Sequence, residues 1–476
     1  MDRKDDIQRI FDLQKRNYRG NKSVSYEVRI DRLNRVEKLF HENHEEMILA
    51  LKEDFGTRDT DMAFMGDIMS PITNVQVIRR KLKAWMKPEK PGDGVMRLFG
   101  QKTYIMHEPL GVVGVITPFN APITLAFDPA IDAIGAGNSV MMRFPEATPR
   151  TGALMARLVA QYFDPSELAV VTGDLEVARF SAALPWDMLA FTGGAATARH
   201  IMAAAAQNLT PVLLELGGKS PVVVLQDADL KVVARKTIKT RLINGGQVCI
   251  AGDYALVHET QMDRFLELAQ EATREVYPTI LDNDHYTSVV GDDAFDRLNS
   301  YISEARARGS KIIEVIPKGE ALPDPKTRKF PLTMVVNPAP DLRLSREEIF
   351  GPILPVLSYR SLDDALEIIN AREKPLALYV HGKDRASIHR VLAETSSGGV
   401  TVNDFLMHAG SHTMGFGGVG QSGMGRYKGG KVGFQAFSNP KSVFEQGIMG
   451  RMTLGFLPPI NSARTRKILK SRVGIK

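Results

Sequence analysis

Apolar residues recur at helical spacing in the first part of the chain. Between Val28 and Asp54 they lie mostly three or four residues apart, at Ile30, Leu33, Val36, Leu39, Phe40, Met47 and Leu51. This spacing places them on one face of a helix. The chain up to about Lys87 is therefore predicted to be helical. Pro88-Glu-Lys-Pro-Gly-Asp-Gly then ends the pattern and starts an extended segment.

Short apolar runs follow, and helical stretches separate several of them. The predicted strands are Gly111–Ile116, Ser139–Met142, Leu168–Val171, Met188–Phe191, Pro211–Leu216 and Pro221–Leu225, with helices at Pro122–Ala136 and Thr151–Tyr162. A second alternating series runs from Lys231 to about Asn403, with a strand at Tyr254–His258 and a helix through Phe265 to Val276. Such alternation predicts parallel sheets covered on both faces, hence an α/β fold of two units. Gly410–Gly433 is predicted to be a long ordered loop.

Length and composition are consistent with this organisation. A chain of 476 residues is too long for one ordinary core, and 43% hydrophobic and 24% charged residues are typical of a soluble globular protein. No apolar run of about 18 residues predicts a membrane helix. The charged N-terminus lacks the apolar stretch of a secretory signal, so we expect a cytoplasmic protein.

The net charge of +6 comes partly from the basic tail at 451–476. The tail carries Arg464, Arg466, Lys467, Lys470 and Arg472. It has no interleaved aromatic residues, which argues against nucleic-acid binding.

Cys249 is the single cysteine of the chain, so no internal disulfide can form. A lone cysteine is usually a small buried hydrophobe. Here it follows Asn244-Gly-Gly-Gln-Val, and a cysteine on a glycine-containing loop is a candidate nucleophile.

Three other motifs carry candidate chemistry. Glu215 ends an apolar strand before two glycines, where burial would raise its pKa and suit it as a base, although it could also cap a turn. Asn120 follows a strand and could donate to an oxyanion or cap a helix. Gly193-Gly194 forms a turn between a strand and a helix, where backbone amides attract phosphate.

Taken together, these segments resemble the aldehyde dehydrogenase superfamily, and they occur in its order. The blocks that carry the resemblance are Pro109-Leu-Gly-Val-Val-Gly-Val-Ile-Thr-Pro-Phe-Asn120, Glu215-Leu-Gly-Gly-Lys-Ser-Pro, Gly246-Gln-Val-Cys249, Glu348-Ile-Phe-Gly-Pro and Phe416-Gly-Gly-Val-Gly-Gln-Ser-Gly-Met-Gly. Asn208-Leu-Thr-Pro-Val-Leu-Leu-Glu and the Pro458-Pro-Ile-Asn-Ser-Ala segment look most like coniferyl aldehyde dehydrogenases and fatty-aldehyde relatives.

The resemblance implies a reaction and three catalytic residues. Cys249 would attack the aldehyde, Asn120 and the Cys249 backbone amide would hold the oxyanion, and Glu215 would activate water to hydrolyse a thioester. An NAD cofactor would take the hydride, with NADP as the open alternative. A CoA-acylating enzyme and a non-catalytic member of the superfamily are the rival interpretations, and the presence of Glu215 favours hydrolysis.

The resemblance also implies two sets of binding residues. Those assigned to the cofactor are Ile116, Thr117, Pro118, Phe119, Arg143, Glu146, Gly173, Phe191, Thr192, Gly193, Gly194, Leu216, Gly217, Glu348 and Phe350. Those assigned to an apolar substrate pocket, for an aromatic (coniferyl-like) or a medium-to-long aliphatic aldehyde, are Phe119, Leu242, Ile250, Phe405, Met407 and His408. Apolar residues at such positions, Phe350 included, are as often plain core. Lys219 would act either in structure or in polarising the site.

The sequence departs from the family pattern at two places. Arg143-Phe-Pro-Glu146 stands where many members have Lys-Pro-Ser-Glu; Glu146 favours NAD through a ribose hydroxyl, while Arg143 could pair with the phosphate of NADP. Phe191-Thr-Gly-Gly-Ala-Ala-Thr-Ala lacks the hydroxyl residues and last glycine of the usual Phe-Thr-Gly-Ser-Thr-x-x-Gly turn. We therefore expect weaker cofactor binding.

His408 and His412 lie four residues apart but without a carboxylate partner, so no metal site is predicted. The resemblance further implies a division of the chain into domains. The NAD(P)-binding domain would comprise 1–87 and 110–216, the catalytic domain 217–412, and an oligomerisation arm 88–109 and 413–450. Extended arms need partners for their edges, so we expect a homodimer.

Overall fold

The computed structural model describes residues 3–91, 101–447 and 458–475. Its helices begin with α1 (Arg3–Gly20), α2 (Tyr26–Phe55), α3 (Thr60–Ala63) and α4 (Ser70–Trp85), and a π-helix at Phe64–Met69 joins the last two. The long helix that the N-terminal pattern predicts is α2. Its apolar face, which includes Leu33, Val36 and Phe40, is fully buried.

Further helices alternate with the strands, as predicted. They are α5 (Pro122–Ala136), α6 (Pro149–Tyr162), α7 (Leu175–Ala182), α8 (Ala195–Ala206), α9 (Leu230–Leu242), α10 (Met262–Val276), α11 (Asp292–Ala307), α12 (Arg343–Arg346), α13 (Leu362–Asn370), α14 (Arg385–Glu394), α15 (Met407–Gly410), α16 (Lys431–Ala436) and α17 (Ala463–Arg472). No helix in the described ranges is both long and apolar enough to cross a membrane.

Fifteen strands form two large sheets and one ribbon in the described residues. The strands are β1 (Lys102–Pro109), β2 (Val112–Ile116), β3 (Ser139–Arg143), β4 (Leu168–Val171), β5 (Met188–Thr192), β6 (Val212–Glu215), β7 (Pro221–Val224), β8 (Tyr254–His258), β9 (Lys311–Val315), β10 (Leu332–Val336), β11 (Ile353–Tyr359), β12 (Ala377–His381), β13 (Gly399–Val402), β14 (Gly423–Met424) and β15 (Ser438–Glu445). The first sheet has the order β14-β6-β5-β2-β3-β4, and the second has the order β13-β12-β7-β8-β11-β10-β9.

The prediction of two parallel sheets is confirmed for the inner strands and wrong at one edge of each sheet. β9 pairs with β10 in antiparallel orientation, because the connection at 316–331 contains no crossover helix. β14 pairs antiparallel with β6.

The glycine-rich segment predicted as one loop is more structured than expected. Gly420–Ser422 forms a 3-10 turn, β14 follows it, and α16 begins at Lys431. An ideal Cβ at Gly423 would lie 2.5 Å from the Leu214 carbonyl oxygen, so only glycine fits against β6 there. Apolar periodicity gives no signal for this contact, because a two-residue strand is too short to show one.

The predicted arm is seen in part. β1 and β15 pair along their full length as an antiparallel two-stranded ribbon, and Glu89 bridges to Ile105. Residues 92–100 of the arm, 448–457 and the last residue of the basic tail lie outside the described residues. Gly423 and Met424, placed in the arm by the sequence prediction, pair instead with the first sheet. The division into domains otherwise stays a prediction.

Candidate active site

The candidate catalytic side chains lie where the two large sheets meet. Glu215 is the last residue of β6, and Asn120 follows the end of β2, so both lie at the carboxyl edge of the first sheet. Cys249 precedes β8 and so lies at the amino edge of the second sheet. The Asn120 side chain donates a hydrogen bond to the Gln247 carbonyl at 3.1 Å, which joins the two edges directly.

The loop that carries Cys249 has a tightly specified backbone. Asn244, Gly245 and Gly246 have φ values of 52°, 63° and 76°, three consecutive left-handed residues. An ideal Cβ at Gly246 would lie 2.4 Å from the Gly351 carbonyl group, so a side chain there would clash with backbone. This loop therefore requires glycine for both conformation and space.

Gln247 holds this loop in place. Its side-chain amide donates to the carbonyls of Asn244 at 2.9 Å and Ser288 at 3.0 Å. Its side-chain oxygen accepts from the Val290 amide at 2.8 Å. All three bonds are buried, so they fix the position of the cysteine two residues later. Sequence reasoning quoted Gln247 within a motif but assigned it no role.

Cys249 is half-buried and lies close to two acidic side chains. Burial raises the pKa of this thiol, and the nearby carboxylates of Glu215 and Glu348 raise it further. The thiol is therefore neutral around pH 7 in this state. A base must take its proton before it can attack.

Glu215 is almost completely buried, with 1% of its surface exposed. Neither carboxylate oxygen has a hydrogen-bond partner among the described residues. Burial raises the pKa of Glu215 well above its ordinary value, and Arg426 lowers it only in part. A buried carboxyl group without a partner is destabilising in either protonation state, which is typical of functional rather than structural residues.

The predicted cofactor residues Gly217 and Glu348 lie against each other. An ideal Cβ at Gly217 would lie 1.9 Å from Oε2 of Glu348. Burial raises the pKa of Glu348 to about 8, and Asp253 adds to this effect, while the hydrogen bond from the Gly218 amide and nearby Lys219 and Arg241 oppose it. Two residues on, the Phe350 ring packs edge-on to Phe119 at 5.8 Å.

The ammonium group of Lys219 makes three hydrogen bonds within the protein. Its ammonium group donates to Asp253 at 2.5 Å and to the carbonyls of Leu344 at 2.8 Å and Glu347 at 3.0 Å. These bonds tie the start of β7 to the loop that carries Glu348. Of the two roles left open for Lys219, the contacts therefore favour the structural one.

Arg143 and Glu146 form an ion pair at 2.7 Å. Arg143 also donates to the carbonyls of Gly173 and Asp174, at 3.0 and 3.2 Å. Arg143 is buried and Glu146 is exposed. Arg143 and Glu146, the two residues predicted to lie at the adenosine end of the cofactor, therefore contact each other.

The turn at Gly193-Gly194 leads directly into α8, and its role in phosphate binding stays a prediction. Gly194 is the N-cap of α8, with φ −78° and ψ 148°, and no side chain caps the helix. An ideal Cβ at Gly193 would lie 2.5 Å from the Phe191 ring, whereas one at Gly194 would meet nothing within 4 Å. The remaining predicted cofactor residues lie at or just beyond the carboxyl ends of strands in the same sheet: Ile116, Thr117, Pro118, Gly173, Thr192 and Leu216.

An open cleft of about 980 Å³ connects several of these positions. Gly194, Gly217 and Glu348 line it on one side. Basic side chains that sequence reasoning missed also line it: Arg297, Arg346, Arg372 and Lys374. They come from separate segments of the second half, so no single motif signals them.

Three of the six predicted pocket residues lie close to the cysteine. Tyr379, which the sequence did not single out, donates its hydroxyl to the Ile250 carbonyl at 2.5 Å. Its ring packs on Phe405 at 4.5 Å and on His408 at 6.0 Å. These aromatic rings form a wall beside the residue that follows Cys249.

The other pocket predictions find less support. Phe119 packs against Phe350, Leu242 is a buried residue at the end of α9, and Met407 is 61% exposed. His408 bonds Thr401 at 2.8 Å through Nδ1, and burial lowers its pKa to about 4. His412 is separately placed near Lys428 and Asp128, and burial also lowers its pKa.

Comparison with known proteins agrees with this geometry. The model of the aldehyde dehydrogenase family matches residues 1–443. A coniferyl aldehyde dehydrogenase of Pseudomonas sp. (strain HR199 / DSM 7063) is 42% identical over 441 residues, which cover 92% of this chain and 91% of that protein.

Solved structures show the same fold. The substrate-bound state of Staphylococcus aureus AldH superposes with a TM-score of 0.89 at 34% identity, covering 98% of this chain and 99% of that one. The P. syringae indole-3-acetaldehyde dehydrogenase AldA, solved as a variant with NAD+ and IAA, gives a TM-score of 0.84 at 26% identity, covering 93% and 89%. The family match and the relative from Pseudomonas sp. together show that this chain belongs to the aldehyde dehydrogenase family, and it is an aldehyde dehydrogenase.

Proposed function

We propose that this enzyme oxidises an aldehyde to a carboxylic acid with NAD(P)+ and water, through a thioester on Cys249. The observation that carries the proposal is the convergence of Cys249, Glu215 and Asn120 at the facing edges of the two sheets. The overall reaction consumes aldehyde, NAD(P)+ and water. It yields acid, NAD(P)H and a proton.

The residues of the cleft fit a dinucleotide. Gly217 leaves room for the carboxylate of Glu348, which is positioned to accept hydrogen bonds from ribose hydroxyls. The amides at the start of α8 suit a diphosphate, because the N-terminus of a helix carries partial positive charge. The dinucleotide supplies the hydride acceptor. NAD is favoured because Glu146 offers an exposed carboxylate and Arg143 is already engaged with it.

In the first half of the reaction the Cys249 sulfur bonds to the aldehyde carbon, and the thiol proton passes to a base. Glu215 and Glu348 both lie near enough to the thiol to raise its pKa, and we assign this role to Glu215 because its carboxyl group has no hydrogen-bond partner among the described residues. The carbonyl oxygen gains negative charge. The Asn120 amide has two protons and gives one to Gln247, so the other can bind this oxygen together with the Cys249 amide.

A dinucleotide bound in the cleft would accept the aldehyde hydrogen as hydride, and its loss would leave a thioester on Cys249. Glu215 first releases the proton of the thiol to solvent, which is the proton that the overall reaction yields. It then takes a proton from water, whose oxygen attacks the thioester carbon, and passes this proton to the departing Cys249 sulfur. The carbon–sulfur bond breaks, which releases the acid and regenerates Cys249. The high pKa of Glu215 suits this role, because a stronger base takes a proton from water more readily.

For the substrate we propose an aromatic aldehyde of the coniferyl type, with aliphatic aldehydes as the second class. The relative from Pseudomonas sp., by its name, acts on coniferyl aldehyde.

The test follows NADH formation by absorbance with a panel that includes coniferyl aldehyde and octanal. We expect wild type to reduce NAD+ with coniferyl aldehyde and Cys249→Ala to be inactive. Added CoA distinguishes the alternative: acid as the product supports hydrolysis, and acyl-CoA as the main product contradicts it. Wild type that is inactive with every aldehyde and both cofactors would overturn the proposal.

We also propose a homodimer. In the described residues the β1–β15 ribbon has two strands, and Glu89 covers the outer edge of β1 at Ile105. The outer edge of β15 is not paired with a strand there, and such edges are normally covered. Light scattering should give about twice the monomer mass of 52.6 kDa. A monomer would contradict the proposal.

A further inference from the structure

The turn that precedes α8 offers no side-chain donor to a phosphate. Gly193, Gly194 and Ala195 carry no polar side-chain atom, and α8 has no side-chain cap. Arg199, one turn into α8, is directed to Gln421 at 2.8 Å. A diphosphate at this turn would therefore meet backbone amides alone on this wall of the cleft.

Five basic side chains line the same cleft, and three of them are already committed. Lys219 is bound to Asp253, Arg297 donates to the Ile349 carbonyl at 2.7 Å, and Arg372 donates to the Ile368 carbonyl at 2.5 Å. Lys374 and Arg346, which also line the cleft, have no hydrogen-bond or ion-pair partner within 3–91, 101–447 and 458–475. Arg346 lies near enough to Asp341, which does not line the cleft, to lower the pKa of that carboxyl group, so Lys374 is the less engaged of the two.

The acidic residues of the cleft do not neutralise these two cations. Glu347 accepts from the Tyr301 hydroxyl at 2.6 Å and pairs with Arg343 at 3.4 Å. Glu348 faces Gly217. Glu373 is exposed beside Lys374 in sequence and pairs with neither cation. An anionic ligand would therefore meet uncommitted positive charge.

Lys374 lies beside the segment that contacts α8, the helix that follows the Gly193-Gly194 turn. Its Cδ lies 3.8 Å from an ideal Cβ at Gly420. The next residue, Gln421, holds Arg199 of α8. Lys374, Gln421 and Gly194 all line the one cleft, so the flexible side chain of Lys374 belongs to the same cavity as the turn before α8.

We propose that Lys374, assisted by Arg346, supplies from the second sheet's side the charge that holds the cofactor diphosphate. In this chain the two cations would replace the hydroxyl donors that the Gly193-Gly194-Ala195 turn lacks. The inference rests on the proposed use of NAD(P). The inference predicts that the affinity for the cofactor falls strongly as the salt concentration rises, because salt screens exposed ion pairs.

The test titrates NADH into the purified protein and follows fluorescence, without an aldehyde. Lys374→Ala should raise the Kd for NADH roughly fivefold and reduce its dependence on salt, since one charge-assisted contact is lost. Arg346→Ala should have a smaller effect in the same direction. The matched control is Lys383→Ala, which removes an exposed lysine beyond β12, outside the residues that line the cleft.

Two competitors identify the group that is bound. ADP-ribose, which contains the diphosphate, should lose affinity in Lys374→Ala as NADH does, and AMP should lose little. An equal loss for both would place Lys374 at the adenosine end and overturn the assignment.

A second variant offers rescue. Gly194→Ser adds a hydroxyl where a Cβ meets nothing within 4 Å, so it should restore much of the affinity lost in Lys374→Ala.

The outcomes separate this inference from the proposed function. If wild type binds NADH and Lys374→Ala behaves like Lys383→Ala, the inference alone is wrong. If wild type does not bind NADH or NADPH, the proposed cofactor is wrong and the inference is wrong with it. If NADH binding weakens as expected but no aldehyde is oxidised, the inference is supported and the proposed reaction is not.

Discussion

Gly217→Ala tests the contact between the two sheets at the cofactor cleft. A methyl group at Gly217 would lie 1.9 Å from Oε2 and 2.4 Å from Cδ of Glu348, and real Cβ contacts are not shorter than 3.0 Å. The carboxylate must therefore withdraw by 1.1 Å or more. Because the clash involves the end of a flexible side chain and the Gly217 backbone is not left-handed, folding should be little affected.

Displacement of the Glu348 carboxylate should weaken the binding of the cofactor. A hydrogen bond to a charged group contributes about 1.5–3 kcal/mol, so its loss corresponds to a roughly tenfold to hundredfold weaker affinity. NADH fluorescence titration measures this, and a thermal melt of the same samples checks the fold. Gly20→Ala, outside the residues that line the cleft and with nothing within 4 Å of the new methyl group, is the control and should bind NADH as wild type does.

A double-mutant cycle refines the test. If Gly217→Ala acts by moving Glu348, then adding Glu348→Ala should cause little further loss, because both changes remove the same interaction. Unchanged NADH affinity in Gly217→Ala, with a normal melt, would refute the reasoning. The reasoning would also be refuted if the losses of NADH binding free energy in the two single variants added fully in the double variant.

Three further predictions concern the neighbouring groups. Lys219→Met should destabilise the protein by about 3–5 kcal/mol, because it leaves a buried Asp253 without its closest partner; a melting temperature equal to that of Lys383→Met would contradict this. Because burial raises the pKa of Glu215, the rate of thioester hydrolysis should increase with pH above the ordinary carboxyl range, and Glu215→Gln should remove this dependence. The folded protein holds a proton on Glu215 that the unfolded chain releases, so the associated stability is full below the ordinary glutamate pKa of 4.5 and is lost as pH rises through the folded pKa. Chemical denaturation across pH should show wild type losing stability relative to Glu215→Gln, and parallel curves would argue against it. Glu146→Gln should free Arg143 and shift the ratio of NADP to NAD affinity roughly tenfold towards NADP; an unchanged ratio in cofactor titrations would show that Arg143 does not reach the phosphate.

Local periodicity was sufficient for the elements with strong patterns. The helix Pro122–Ala136 has the predicted bounds, and β8 lies at Tyr254–His258 as predicted. The antiparallel edges at β9 and β14 could not be predicted, because strand direction depends on the connection in space and not on apolar alternation. Gly193 and Gly246 indicated turns in the sequence. The local pattern could not predict which groups these glycines pack against.

In the candidate site, too, some residues could be predicted from the sequence and others could not. Cys249, Glu215 and Asn120 stand in short motifs, and the structure brings them together at the facing sheet edges. Tyr379 and Lys374 belong to no motif, so their positions appear only when β12 and the chain before it are placed in the second sheet. Met407 adjoins the predicted pocket residue His408 in sequence and is exposed, and its assignment to the pocket stays a prediction.

The central claim is a covalent acyl group on Cys249 that Glu215 helps to hydrolyse. The most direct measurement is the intact mass of the protein, quenched in acid after mixing with NAD+ and coniferyl aldehyde. Glu215→Gln should gain the mass of one acyl group, located by peptide mapping on the peptide that contains Cys249, and Cys249→Ala should gain none. The absence of an adduct in Glu215→Gln while NADH forms, or an adduct that persists in Cys249→Ala, would contradict the account.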